Sequence, residues 1–175
     1  SEDFLQITTF MGDTAVALCL MLFFARRNPS LLFIILLAAI YGTLVTHGMK
    51  AYSDMLRPPA VLNSDDFVQI GQAFKRASFP SGHSATVFIM VSCLYYFATQ
   101  ISTKIMLLTF GAWVAISRVL VGAHWPVDIL VGSGVGVMAT AIAIYSAKRW
   151  SWGFSVRVHF FVLSLLIAAA IMLFS

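Results

Sequence analysis

The sequence predicts an all-α fold: a polytopic membrane helix bundle of about six transmembrane helices, with a short interfacial helix in one long outer loop. Three observations carry that expectation. Of 175 residues, 60% are hydrophobic and only 10% are charged, whereas a soluble domain carries about 25% charged residues. Such a chain has too few charges to clothe a water-facing surface. Its apolar residues gather into six runs near the length of a bilayer crossing, and the charges between the runs sort by side. The length suits one domain and hardly two, so residues 1–175 are expected to form a single membrane-embedded domain with its core motifs between 50 and 128.

The runs cover roughly 5–25, 31–49, 84–99, 105–121, 126–147 and 158–174. A crossing needs about 20 residues, with about 17 tolerable. The first run follows Glu2 and Asp3 and is trailed by Arg26 and Arg27. A signal peptide places its positive charge before the run, so this one reads as a span. The second run ends at Lys50, and Pro58 and Pro59 stop any continuation. The third is short alone, and Phe79 to His83 can extend it. The fifth contains "GSGVG", Gly132 to Gly136. That stretch follows no strand and lies mid-span, so its GxxxG pair signals close helix packing rather than a phosphate cradle.

Short polar connectors separate most runs: "RRNPS", "QISTK" and "KRWSWGFSVR". One connector, from Asp54 to Phe79, is long. Within it, "NSDDFVQIGQAFKR" offers Asn63 or Ser64 as a helix cap with acids in the first turn. Phe67, Ile70 and Phe74 then share a face, which fits a short amphipathic helix at the membrane surface. An ordinary ordered loop fits equally well.

Six spans put alternate connectors on opposite sides. One side then holds Arg26, Arg27, Lys104, Lys148, Arg149 and Arg157 and no acid; the other holds all seven acids and five bases. The positive-inside rule places the first side in the cytoplasm. Cys19 and Cys93 lie in apolar runs without ligand spacing and read as small core residues. The net charge of +4 is no nucleic-acid signal, because the bases do not cluster with aromatics on a polar face.

Ionisable residues near or within spans are expensive and usually functional. Lys50 and Arg57, seven apart, share a face if the second helix continues. His83 starts the third span, Arg118 ends the fourth, and His124 and Asp128 flank the start of the fifth. Alternating topology puts all of them at one membrane face. Three permanent cations suit a tetrahedral dianion such as phosphate, which arginine holds in a bidentate fork. In "PSGH", Pro80 to His83, the amides of Ser81, Gly82 and His83 open a helix, and helix N-termini bind anions. Gly82 lets the backbone approach the ligand, and the Ser81 hydroxyl can donate to it; a plain helix start explains Pro80-Ser81 as well. Two histidines beside a phosphate suggest covalent catalysis. Asp128, four residues after His124, can accept from one ring nitrogen and free the other. The second histidine, His83, can protonate the leaving oxygen and then activate water. His47, three residues before Lys50, could support the site from behind, and His159 reads as interfacial.

These residues resemble a known set. "KAYSDMLRP" (Lys50 to Pro58), "PSGH" (Pro80 to His83) and "SRVLVGAHWPVD" (Ser117 to Asp128) are similar, in residues, spacing and order, to the three signature motifs of the type 2 phosphatidic acid phosphatase family. The resemblance covers roughly residues 39–140. It implies that Lys50, Arg57, Ser81, Gly82 and Arg118 bind phosphate, that His124 is the nucleophile oriented by Asp128, and that His83 is the general acid and base. It implies a multi-pass enzyme of the bacterial inner membrane, its site facing the periplasm or exterior. Such an enzyme removes phosphate from a lipid phosphate or diphosphate within the bilayer, through a phosphohistidine and without a metal cofactor. Members act on phosphatidylglycerophosphate, undecaprenyl diphosphate, lipid A or phosphatidic acid. Many membrane members carry a further span before the stretch that corresponds to "ITTFMGD", whereas here a sixth run follows the third motif, so the lateral entrance for lipid is expected to differ. A phosphotransferase passing the group to another lipid would use the same residues. A lipid-phosphate transporter would explain the cations but not the histidine pair. Vanadium haloperoxidases share the motifs but are soluble.

Overall fold

Asn28 accepts a hydrogen bond from Leu31 N at 3.0 Å, and Pro29, which lacks an amide hydrogen, takes the first helical position. These two residues start α1, Pro29–Ser53. In the computed structural model, which describes residues 28–63, 70, 74–150, 157, 160 and 164, α1 is followed by α2 (Pro58–Val61), α3 (Gly82–Phe97), α4 (Ile101–Leu120) and α5 (Pro126–Arg149). The described residues are helical or irregular, with no strand among them. The runs 5–25 and 158–174 lie outside the described residues, apart from positions 160 and 164, as does most of the stretch expected to form the interfacial helix.

Among the described residues, three helical segments are long and apolar enough to cross a membrane: Pro29–Val61, Ile101–Leu120 and Pro126–Arg149. The third expected span is present as α3, a shorter apolar helix of 16 residues. It gains Gly82 and His83 but not Phe79 to Ser81, because Ser81 is its cap: the Ser81 hydroxyl accepts from Ser84 N at 3.3 Å. Large apolar side chains such as Leu44, Met106, Leu130 and Met138 are exposed on the outside of the bundle. Helices this apolar on their outer faces are built for lipid rather than water.

α3 packs on α5, α1 and α4, while α5 also lies along α1 and touches α4 only lightly. Among the described residues the core gathers in two clusters: a larger one that includes Ile34, Leu37, Ile89, Cys93, Ala139 and Ala143 where α1, α3 and α5 meet, and a smaller one of Val87, Val91 and Val114 between α3 and α4. Gly132 and Gly136 are the reason α5 comes so close to α3. A Cβ on Gly136 would lie 2.6 Å from Ala85 O, and one on Gly132 would collide with Ser81 O. The GxxxG pair therefore serves packing, and it seats the mouth of α3 against the first turns of α5.

Candidate active site

Lys50 stands in the last turn of α1. The helix does not run on to Arg57 as the two-turn spacing allowed. It ends at Ser53, with Asp54 in the left-handed region at φ 33°, and Arg57 is extended, at φ −84° and ψ 160°. The residue before a proline is pushed out of the helical region by the ring that follows, and here Pro58 has that effect. The two cations still converge, by a bend rather than a shared face. Lys50 Nζ donates to Ala77 O at 2.8 Å. Arg57 donates from Nε to Arg76 O at 3.0 Å, from Nη1 to Ala123 O at 3.3 Å and from Nη2 to Ala77 O at 3.4 Å. The Ala77 carbonyl thus receives both, and Ala77 itself sits at φ 54°.

The "PSGH" stretch opens α3 next to these cations. Only part of its expected role is free for a ligand. The Ser81 amide donates to Asp128 O at 3.0 Å, so of the three amides in question this one is already engaged, and Gly82 and His83 form the first turn behind it. The Ser81 side chain is fully buried as the cap, accepting from Ser84 N and from Ser84 Oγ at 3.1 Å. A Cβ on Gly82 would meet nothing within 4 Å, so the space in front of this helix mouth is open. His83 is half-buried in the same first turn.

Arg118 is in the last turn of α4, and its carbonyl accepts from Ala123 N at 3.1 Å and His124 N at 3.2 Å. Gly122, at φ 71°, makes the reversal that permits this. His124 is 2% exposed. Its Nδ1 lies 3.2 Å from Asp128 Oδ2. The same oxygen accepts from Trp125 N at 2.9 Å and from the hydroxyl of Ser78. Asp128 is thus a third-position cap of α5 as well as the partner of His124. Its other oxygen, Oδ1, is buried and accepts no hydrogen bond among the described residues. Ser78 carried no signal in the sequence: a serine in a loop, 50 residues from Asp128, fits no spacing rule.

Burial pushes the His124 pKa below the usual histidine range; the Asp128 hydrogen bond opposes this, and the charges of Arg57 and Arg118 add to the lowering. Near neutral pH the ring is therefore neutral. A neutral imidazole that donates a hydrogen bond from Nδ1–H to a carboxylate keeps its Nε2 lone pair free. The structure thus brings Lys50, Arg57, Arg118, His124 and Asp128 together, with the mouth of α3 beside them. Of the other two histidines, His47 is exposed on α1 and His159 lies outside the described residues. Among the described residues no three His, Cys, Asp or Glu side chains gather as metal ligands would.

A helical membrane bundle whose ends bring three cations, a helix mouth and a carboxylate-held histidine together belongs to a recognisable class: helical membrane proteins with a cation-rich cluster around a buried histidine. The model of the PAP2 superfamily matches residues 30–152, well over half of the chain, and the chain belongs to that superfamily. It is 27% identical over 155 residues to a lipid A 1-phosphatase of Rhizobium etli, across 75% of this chain and 65% of that protein. It is 29% identical over 75 residues to the bacitracin transport permease protein BcrC of Bacillus licheniformis, across 43% of this chain and 36% of that one. The chain thus spans less than two thirds of either relative. Among solved structures, it is similar to Aquifex aeolicus LpxE, with a TM-score of 0.75, 23% identity and coverage of 82% of this chain and 85% of that one. A transmembrane PAP2-type phosphatidylglycerolphosphate phosphatase from Bacillus subtilis gives a TM-score of 0.67, 21% identity and coverage of 85% and 77%. These likenesses show a shared fold.

Proposed function

We propose that the protein is a membrane lipid phosphatase that hydrolyses a lipid phosphate or diphosphate through a phosphohistidine. The observation that carries this reading is the His124–Asp128 contact set among Lys50, Arg57 and Arg118. The phosphate takes the place of the carbonyl partners now held by Lys50 and Arg57, and Arg118 and the amides of Gly82 and His83 complete its shell. The Ser81 hydroxyl caps that helix mouth and has a proton left to donate. His124 Nε2 attacks phosphorus while Asp128 holds the Nδ1 proton. His83 gives a proton to the departing lipid oxygen, then takes one from the water that cleaves the phosphohistidine. The cations meet the phosphate charge that a metal would otherwise meet, so the reaction is metal-independent.

The lipid assignment draws on a second feature. An apolar groove lined by Leu44, Val45, Gly48, Met49 and Tyr52 ends at Ser53 and Phe79, beside the site. A lipid in the bilayer can lie there while its phosphate reaches the cations. The related lipid A 1-phosphatase is named for a substrate of this chemical class. The transport permease name covers less of the chain and leaves the histidine pair without a task. Phosphatidylglycerophosphate, undecaprenyl diphosphate, lipid A and phosphatidic acid are the substrates to compare, and the site is read as facing away from the cytoplasm of a bacterial inner membrane, within one domain.

Purified protein in detergent is expected to release phosphate from at least one of these lipids. Release should persist in excess chelator and stop with vanadate, which adopts a five-coordinate geometry like the transition state. His124→Ala should release none. Activity lost in chelator and restored by Mg²⁺ would overturn the metal-independent mechanism, and transfer of the phosphoryl group to a second lipid without release would make the protein a phosphotransferase.

A further inference from the structure

Ser78 lies outside the three motifs, yet it is fully buried and its hydroxyl donates to Asp128 Oδ2. We propose that Ser78 is a positioning residue: its hydroxyl fixes the Asp128 carboxylate in the orientation that sets the His124 tautomer and aims Nε2 at phosphorus. The inference rests on the reading of His124 as nucleophile.

Three donors meet on Oδ2, and they are not equivalent. Trp125 N and His124 Nδ1 come from the turn that leads into α5, three and four residues from Asp128. They move with the carboxylate. Ser78 comes from another part of the chain and is itself held by two bonds that phosphate binding leaves in place. Its amide donates to Met55 O at 2.9 Å. The following carbonyl, of Phe79, accepts from Ser53 Oγ at 3.0 Å. Ser78 therefore ties the carboxylate to a frame independent of α5. The bare Oδ1 makes the point sharper. A carboxylate with one loaded and one empty oxygen has a definite orientation. Without Ser78, only donors from its own turn distinguish the two.

The loop that bears Ser78 is also the loop on which the phosphate-binding cations rest. The charged groups that act on His124 and Asp128 are Lys50 from α1, Arg57 from the bend before α2 and Arg118 from the end of α4, while His83 stands in the first turn of α3. The phosphate-facing cations donate to backbone carbonyls rather than to the Ser78 side chain, so its truncation leaves phosphate binding in place.

The test is the pH dependence of phosphate release by Ser78→Ala, with Ser78→Thr and His124→Ala alongside. Loss of one hydrogen bond to a charged group should lower kcat roughly ten- to a hundredfold, with KM little changed. The carboxylate left with fewer donors stabilises the imidazolium more, so the acid limb of the kcat/KM profile should move to higher pH. Threonine keeps the hydroxyl and should return the limb to the parental position. A merely structural role lowers the active fraction without moving the limb. If the alanine protein does not fold, Ser78→Cys, close in shape and a weak donor, takes its place. A parental limb in the alanine or cysteine protein overturns the inference, as does a threonine protein whose limb moves with alanine's. Turnover by His124→Ala would remove the nucleophile reading itself; an inactive His124→Ala beside a parental Ser78→Ala removes the Ser78 inference alone.

Discussion

His124 turns one ring nitrogen toward Asp128, while His83 stands half-buried at a helix mouth, and the proposed mechanism gives the two different tasks. That asymmetry predicts different losses when each is removed. A lipid alkoxide is a strong base and needs a proton as its bond breaks, whereas a nitrophenolate leaves as a stable anion near neutral pH. His124→Ala should therefore be inactive on both lipid phosphate and p-nitrophenyl phosphate. His83→Ala should lose far more on the lipid and accumulate an acid-labile phosphoenzyme with the aryl substrate. Single-turnover rates at saturation are the quantity to compare; equal losses on the two substrates would show that His83 is not the acid. The His124–Asp128 pair was legible in the sequence because it is local, four residues within one helix start. Ser78 was not, because its bond to Asp128 exists only once distant segments have met.

Between elements, the closest approach is α5 on the mouth of α3. Gly132→Ala puts a methyl group into the Ser81 carbonyl, a backbone atom that cannot swing aside. Such overpacking costs roughly 1–3 kcal/mol, and here the displaced atoms belong to the helix mouth itself. The variant should melt at lower temperature and lose kcat together. Gly134→Ala is the control, since its Cβ meets nothing within 4 Å; relief of glycine's backbone entropy in a helix interior should leave it as stable or up to about 1 kcal/mol more so. If both variants behave alike, the packing account of the GxxxG pair fails. The GxxxG spacing announced a close contact but not its partner, since no periodicity names the residue on the facing helix. The Lys50–Arg57 spacing was legible as a pair and misleading as a path: local propensity favours a continuing helix, and Pro58 ends it four residues earlier than the spacing suggested.

For the molecule as a whole, charge sorting predicts a direction across the membrane. In a chain freed of Cys19 and Cys93, Asp65→Cys should react with an impermeant thiol reagent on intact cells, and Lys148→Cys only after permeabilisation. The reverse pattern would place the histidines on the cytoplasmic face. Membrane character and helical class could be read from composition alone, because lipid-facing helices leave few charges anywhere. The route of the long connector could not, since its carbonyls at Ala77 and Met55 accept from Lys50, Arg57 and the Ser78 amide rather than follow any repeat. That route bears on biogenesis. Helices enter the bilayer one after another, but Asp128 collects its full set of donors only when Ser78, at the far end of the connector, has met the start of α5. On the proposed function, a nascent chain with every motif already inserted would still be latent, and turnover would report that maturation is complete.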